Sequence, residues 1–345
     1  MNHILSFLSA YDGPPLRFME VCGTHTAAIS QSGIRPLLPP SIQLISGPGC
    51  PVCVTVTDYI DKLIALSQTH TIVTFGDLLR VPGSQMSLND ARAQGGRVQM
   101  VYAPMDALSL AEQHPETTYV FAAVGFETTA PAYAMLLQHA VERDIRNVKL
   151  LVSLKTMPPV IAWVCRHSKR IDGFLAPGHV SVITGCGPFE KLAADFQIPF
   201  AIAGFDAPQL LAGIYTLVKR QGKPGVVNLY KSAVAKEGNP AARSAVERFF
   251  IPCNAAWRGM GVIPQSGLAL RPEFSRFDAG STGLIRDTAY NPACRCAQVL
   301  IGSAQPCQCP LFGRVCTPQT PQGACMVSME GSCYHHFISQ GGNPI

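Results

Sequence analysis

The chain has 345 residues, 47% hydrophobic and only 14% charged, with a formal net charge of +5. That length supports two or three cores, and no Lys/Arg cluster of the kind that tracks a phosphate backbone is present. No apolar run reaches the ~18 residues that a bilayer span requires, so nucleic-acid binding and membrane insertion are both set aside.

In chain order, the opening MNHILSFLSAYDGPP has neither a basic start nor a cleavage-like site. This argues against an export signal and for a cytoplasmic protein. Structural disulfides are then disfavoured, and the thirteen cysteines read as metal ligands or redox groups. From residue 16 to about 220, short apolar runs alternate with helix-length segments: LRFMEV, SIQLIS, TIVTF, RVQMVY, TYVFAAV, VKLLVSL, GFLA and FAIAGF. Near-continuous apolar runs suit strands covered on both faces. Their alternation with stretches such as VTDYIDKLIALSQ implies parallel sheets with right-handed crossovers. The expected fold class is α/β, with two similar parallel-sheet domains over 14–113 and 114–225, the first with the CGTH and GPGCPVC loops and the second with the GFETT and PGHVS loops. A third, irregular α+β region covers 226–345, with residues 1–13 packed on it. There SAVAKEGNPAARSAVERFF reads as a helix ended by Pro252, and WRGMGVIPQSGLALR as turn plus strand. Beyond residue 291 periodicity is lost, and the tail needs bound metal to hold it together.

Polar and reactive residues follow the apolar runs. CGTHT follows LRFMEV, GPGCPVC follows SIQLIS, GDLLRVPG follows TIVTF, GFETT follows TYVFAAV, and PGHVS follows GFLA. In a parallel sheet these loops all leave at the carboxyl edge, where open α/β sheets bind ligands. Cys22, His25, Cys50, Cys53, Asp77, Arg80, Glu127 and His179 are therefore candidates for one crevice. Several have plainer readings. Thr128 or Thr129 caps a helix with Glu127 near its positive end, His179 satisfies a turn, and Asp77 pairs with Arg80. Cys165, Cys186 and Cys253 read as small buried residues. In GPGCPVC, glycine and proline make a stiff loop that fixes two sulfurs close together. A helix starting at about Pro51 would favour the Cys50 thiolate through its dipole. The spacing fits a redox pair, half a zinc site or an iron site equally.

The tail is more specific. Seven cysteines fall between residues 294 and 333. Cys309, Cys316, Cys325 and Cys333 are separated by six, eight and seven residues punctuated by Pro and Gly. Four thiolates on such loops wrap a structural zinc or an iron–sulfur cluster, and the wide spacing favours the cubane 4Fe–4S. Cys294 and Cys296 are left as a substitute ligand or a redox pair, and Cys307 has no clear role.

CGTHT, GPGCPVC, FGDLLRVPG, VGFETT, APGHVS, WRGMGVIPQSGL and CPLFGRVCTPQTPQGACMVSMEGSC together resemble the HypD family along almost the whole chain. These are iron-binding scaffold proteins of nickel–iron hydrogenase maturation. The resemblance implies two α/β domains and a third region whose 4Fe–4S cluster is held by Cys309, Cys316, Cys325 and Cys333. It implies that Cys22, Cys50 and Cys53 serve an iron(II) that acquires two cyanides and one carbon monoxide. It also implies two partners: a HypC-type small chaperone that shares the iron, and a HypE-type cyanide donor. The sequence departs from the pattern at Ala297, where glycine is expected, and at the additional Cys307. Cyanide arriving as a thiocyanate needs two electrons for release, which suits a Cys50/Cys53 dithiol passing to a disulfide. His25 is spaced to accept a proton from Cys22 or to orient a ligand, and Arg80 to bond a cyanide nitrogen. Two competing readings remain: an iron–sulfur disulfide reductase similar to the ferredoxin:thioredoxin reductases, and a structural zinc protein.

Overall fold

The computed structural model describes residues 2–168 and 170–341. All eight apolar runs form strands: β1 (Leu16–Glu20), β2 (Ile42–Ser46), β3 (Thr71–Thr74), β4 (Val98–Met100), β5 (Tyr119–Gly125), β6 (Val148–Lys155), β7 (Gly173–Ala176) and β8 (Pro199–Ile202). The expected turn plus strand near WRGMG is β11 (Gly261–Leu270). Two strands are additional to the expectation, β9 (Gly225–Asn228) and β10 (Phe250–Trp257). The helix before β10 stops at Phe249, and Pro252 lies inside β10 opposite Leu268. A proline is tolerated there because β10 is an edge strand, where an absent amide donor costs no ladder bond.

Two sheets result. The first is wholly parallel, in the order β2-β1-β7-β8-β9. The second runs β10-β11-β6-β5-β3-β4; β6, β5, β3 and β4 are parallel and the β11 and β10 pairings antiparallel. The α/β class stands, with two sheets rich in parallel pairing. Their membership cuts across the expected boundary at residues 113 and 114. The chain lays β1 and β2 in the first sheet, β3 to β6 in the second, β7 to β9 back in the first, and β10 and β11 in the second. Apolar periodicity marks a covered strand but carries no label for the sheet that it joins. That choice is made by distant partners, as where Phe18 of β1 pairs with Gly173 of β7.

Helices cover both sheet faces, so β5 and β7 are buried at every position, as their unbroken apolar sequences require. The N-terminal helix Asn2–Ser9 packs on the helix Ala207–Lys219, where Phe7 meets Tyr215 edge to face with centroids 4.9 Å apart. Residues 2–13 thus belong with the first sheet's core, not with the tail. Among the described residues, no helix is long and apolar enough to cross a membrane. Among its described residues, the tail beyond residue 291 holds only short helices and one isolated bridge, Phe312 with Cys316. Its buried side chains, among them Phe312, Met326 and Phe337, share one core with Cys53, Met157 and Trp257.

Candidate cysteine site

Strand order places the site. In the first sheet β1 has β2 on one side and β7 on the other, and in the second β3 has β4 on one side and β5 on the other. A crevice opens at the carboxyl end of strands where order reverses in this way. Cys22 leaves β1 at that point and is the N-cap of the helix Gly23–Gln31. Its side chain caps none of the helix N–H groups, and burial pushes its thiol up to about 12. Beneath it, the fully buried Glu20 accepts the Cys22 N–H at 3.2 Å and the Thr26 hydroxyl at 2.6 Å. The Glu20 carboxyl is held up at about 7 by burial, against hydrogen bonds from Thr26 and Ser46 and the nearby Arg35.

The second cysteine loop lies against the first. The Gly23 N–H donates to the Gly49 carbonyl at 2.9 Å and the Gly47 N–H to the Glu20 carbonyl at 2.8 Å. A Cβ on Gly49 would stand 2.2 Å from the Cys22 nitrogen, so glycine is needed for the two backbones to touch. Gly49→Ala should therefore cost about 3 kcal/mol or more, since the obstacle is backbone and not a movable side chain. A urea titration checks this, and a loss within ±0.5 kcal/mol would contradict the contact.

Cys50 and Cys53 are buried and joined as a disulfide, the oxidised form of the pair. Pro51 starts no helix: residues 51–54 form a turn closed by the Val54 N–H on the Cys50 carbonyl, and the next helix begins at Thr57. The expected dipole effect on Cys50 is thus replaced by one local bond, from the Cys53 N–H to the Cys50 sulfur at 3.1 Å. The turn is gripped from the β10–β11 hairpin. The buried Arg258 donates from Nε to the carbonyls of Cys53 and Thr55, both at 3.1 Å, and from an Nη to the Thr55 carbonyl at 2.6 Å. Its backbone N–H reaches the Val54 carbonyl, and its charge faces Asp287 at 3.5 Å.

The tail brings its thiols to the same core. The Cys325 thiol lies near enough to those of Cys296 and Cys333 for the three to influence one another's protonation. The Cys309 sulfur accepts the Arg295 N–H at 3.4 Å, and the Cys316 sulfur accepts the Gln322 N–H at 3.3 Å. Cys294 lies beside Cys296 at Gly323, where a Cβ would come within 3.0 Å of the Cys294 sulfur. Burial pushes the Cys294 and Cys316 thiols up to about 12. The Cys53 sulfur points at the Ala324 carbonyl, 3.9 Å away and one residue from Cys325. Cys309, Cys316, Cys325 and Cys333 share one buried core with Cys296, and Cys294 packs against it; Cys307 is exposed. Among the described residues, no three His, Cys, Asp or Glu side chains already form a ligand set.

The remaining candidates divide. The buried His25 lies with Nε2 at 3.2 Å from the carbonyls of both Ala203 and Gly204, so Nε2 carries the proton. Nδ1 is a buried lone pair without a partner, and desolvation lowers the imidazole to about 4. Asp77 and Arg80 do not pair; Asp77 accepts from Ser328 and Arg80 donates to the Pro318 carbonyl, so both tie this loop to the tail. His179 stacks on Phe205 at 4.1 Å. Cys186 is buried, while Cys165 and Cys253 are half-buried. Glu127 caps a helix other than the one that follows it in sequence: Oε1 accepts the Met157 N–H at 2.8 Å, at the start of Met157–His167.

The residue Glu127 is half-buried, yet its Oε2 is sealed from solvent without a partner. Burial raises its carboxyl from 4.5 to about 7. A raised acid binds its proton more tightly folded than unfolded, so its contribution to stability is full below pH 4.5 and is lost as pH rises to about 7. Glu127→Gln should therefore stabilise by roughly 1–3 kcal/mol above neutrality and change little in acid. Denaturant midpoints across that range test this; equal shifts in acid and base would contradict it.

Sequence reasoning passed over Glu20, Lys155 and Arg258. Their signal is a charge inside or at the end of an apolar run, in LRFMEV, VKLLVSLK and WRGMGV, where burial demands a specific partner.

The HypD family model, described as "Hydrogenase formation hypA family", matches residues 2–339. The chain is 43% identical over 336 residues to the hydrogenase maturation factor HypD of Escherichia coli K12, covering 95% of this chain and 90% of that protein. It is 39% identical over 343 residues to the protein of that name from Cupriavidus necator, again covering 95% and 90%. A putative hydrogenase expression/formation protein of Methanocaldococcus jannaschii is 38% identical over 323 residues, covering 92% and 90%.

Proposed function

Since the chain belongs to the HypD family of hydrogenase maturation factors, we propose that it is a scaffold on which iron(II) acquires two cyanides and one carbon monoxide for a nickel–iron hydrogenase. The observation that carries this is the backbone contact of the Cys22 loop with GPGCPVC, from the Gly23 N–H to the Gly49 carbonyl, with Cys53 in one core with the tail cysteines and against the Ala324 carbonyl. In this reading the iron cargo is held by Cys22 and, in their reduced form, by Cys50 and Cys53. Thiolates suit it because they donate the charge that cyanide and carbon monoxide withdraw. A HypC-type chaperone contributes the remaining thiolate, and a HypE-type donor presents cyanide as R–S–C≡N. The exchange takes place in the cytoplasm.

Cyanide release balances on this chain's own sulfurs. R–S–C≡N and the two thiolates of Cys50 and Cys53 give R–S⁻, CN⁻ and the disulfide that the structure holds. The pair loses two electrons, and the S–C bond accepts them as it breaks. The tail suits a 4Fe–4S cluster in its donor chemistry. Five of its cysteines lie in one buried core, where neutral thiols await a cation to displace their protons. Cys309, Cys316, Cys325 and Cys333 would hold it, with Cys294 and Cys296 alongside. When bound, such a cluster supplies electrons singly. Arg258 keeps the dithiol turn in register against this region, and Glu20 fixes the backbone from which Cys22 projects.

The HypD relationship favours assembly over the general disulfide reductase. The discriminating measurement is infrared spectroscopy of the protein after incubation with iron, a thiocyanate-loaded donor, carbon monoxide and the chaperone. Assembly predicts bound cyanide and carbonyl stretches, lost in Cys22→Ala together with the iron. A protein that reduces disulfides but never shows those bands would overturn the reading.

A further inference from the structure

A buried lysine and a cysteine share a cavity on the β6–β11–β10 part of the second sheet. Lys155, Gly267 and Cys253 sit side by side in register across the three strands. Gly267 has no side chain, and the Ala255 Cβ and the Cys253 sulfur crowd the space above it, 2.6 and 3.3 Å from where a Cβ would stand. Lys155 and Cys253 both line a cavity of about 250 Å³. Lys155 is only 2% exposed, yet its ammonium has a single hydrogen bond, to the Ser153 hydroxyl at 2.7 Å, and the Trp257 ring at 5.9 Å. Among the described residues no carboxylate lies within ion-pair distance of it. The acid that lines the cavity, Asp278, is engaged by the N–H and hydroxyl of Ser281.

A buried ammonium without a counter-charge is costly. Here burial lowers Lys155 to about 7, with Cys253 opposing and Arg258 adding to the effect. Two of its three donors stay free beside an open volume. We propose that this cavity binds a small, weakly hydrated monovalent anion of the pseudohalide class on the Lys155 ammonium. One cation matches one negative charge, which disfavours phosphate. Val56, Val152, Leu154, Ala255 and Leu268 supply an apolar wall, which suits an anion that sheds water readily. The Cys253 thiol adds a soft, weak donor. None of the residues assigned to iron or to the cluster takes part.

The test uses the full-length protein and ¹³C-thiocyanate. Its C≡N stretch should show one saturable bound population, weakened at least about tenfold in Lys155→Met, the loss of one charge-assisted hydrogen bond. Binding should persist in Cys22→Ser, which separates this cavity from the iron site. In the wild-type protein, thiocyanate should also slow alkylation of Cys253 by iodoacetamide, mapped by mass spectrometry, while equal phosphate does not. This second measurement decides the matter if Lys155→Met fails to fold. Undiminished binding in Lys155→Met, loss of binding in Cys22→Ser, or unprotected Cys253 would overturn the site. Equal protection by bromide would overturn the pseudohalide assignment.

Discussion

Cys53→Ser and Cys50→Ser should each leave the fold intact and cut steady-state cyanide delivery by roughly 100-fold or more, because neither can resolve the mixed disulfide that a first release leaves behind. The two variants should not fail identically. A single remaining thiolate can attack the donor's sulfur, expel cyanide once and form a mixed disulfide. Without its neighbour, that adduct has no resolving thiol. One of the two variants should therefore accumulate a covalent donor complex that reductant dissolves, visible on a non-reducing gel. The other should form none. The cyanide stretch of the product, followed after mixing with loaded donor, is the primary readout. A normal steady-state rate in both variants would defeat the dithiol mechanism, whatever the fate of the family assignment. The disulfide in the structure shows that the two sulfurs reach one another without rearrangement of the turn.

Replacing Arg258 by methionine should destabilise the protein by about 3–5 kcal/mol, the range for removing one partner of a buried charged network. The guanidinium is 5% exposed and bonds the carbonyls of Cys53 and Thr55 while facing Asp287. Methionine fills the volume but leaves those acceptors buried and unpaired. Arg258→Lys should recover only part of the loss, because one ammonium cannot present the fork that spans two carbonyls. Equilibrium unfolding in urea measures both. The methionine variant should also expose Cys50 and Cys53, after reduction, to faster alkylation than Cys186, which packs elsewhere in the same core. A loss below ~1 kcal/mol would mean that the dithiol turn keeps its shape without this clamp.

Much of this was legible in the residues. Eight apolar runs became eight strands, because a strand buried on both faces writes its burial into consecutive positions. The loops after β1 and β2 carry Cys22, Cys50 and Cys53 to neighbouring carboxyl edges because parallel strands in one sheet must end on the same side. Cysteine spacing alone grouped Cys309, Cys316, Cys325 and Cys333. Tertiary structure decided the rest. It assigned strands to sheets in alternation, placed Cys294 and Cys296 inside the thiol array, and set Arg258 over the dithiol turn. It turned His25 towards Ala203 and Gly204, and gave Glu127 the N–H of Met157 to cap. Each of these joins residues far apart in the chain. A local pattern records whether a side chain is buried, but the identity of its partner is fixed only when distant segments compete for the same space.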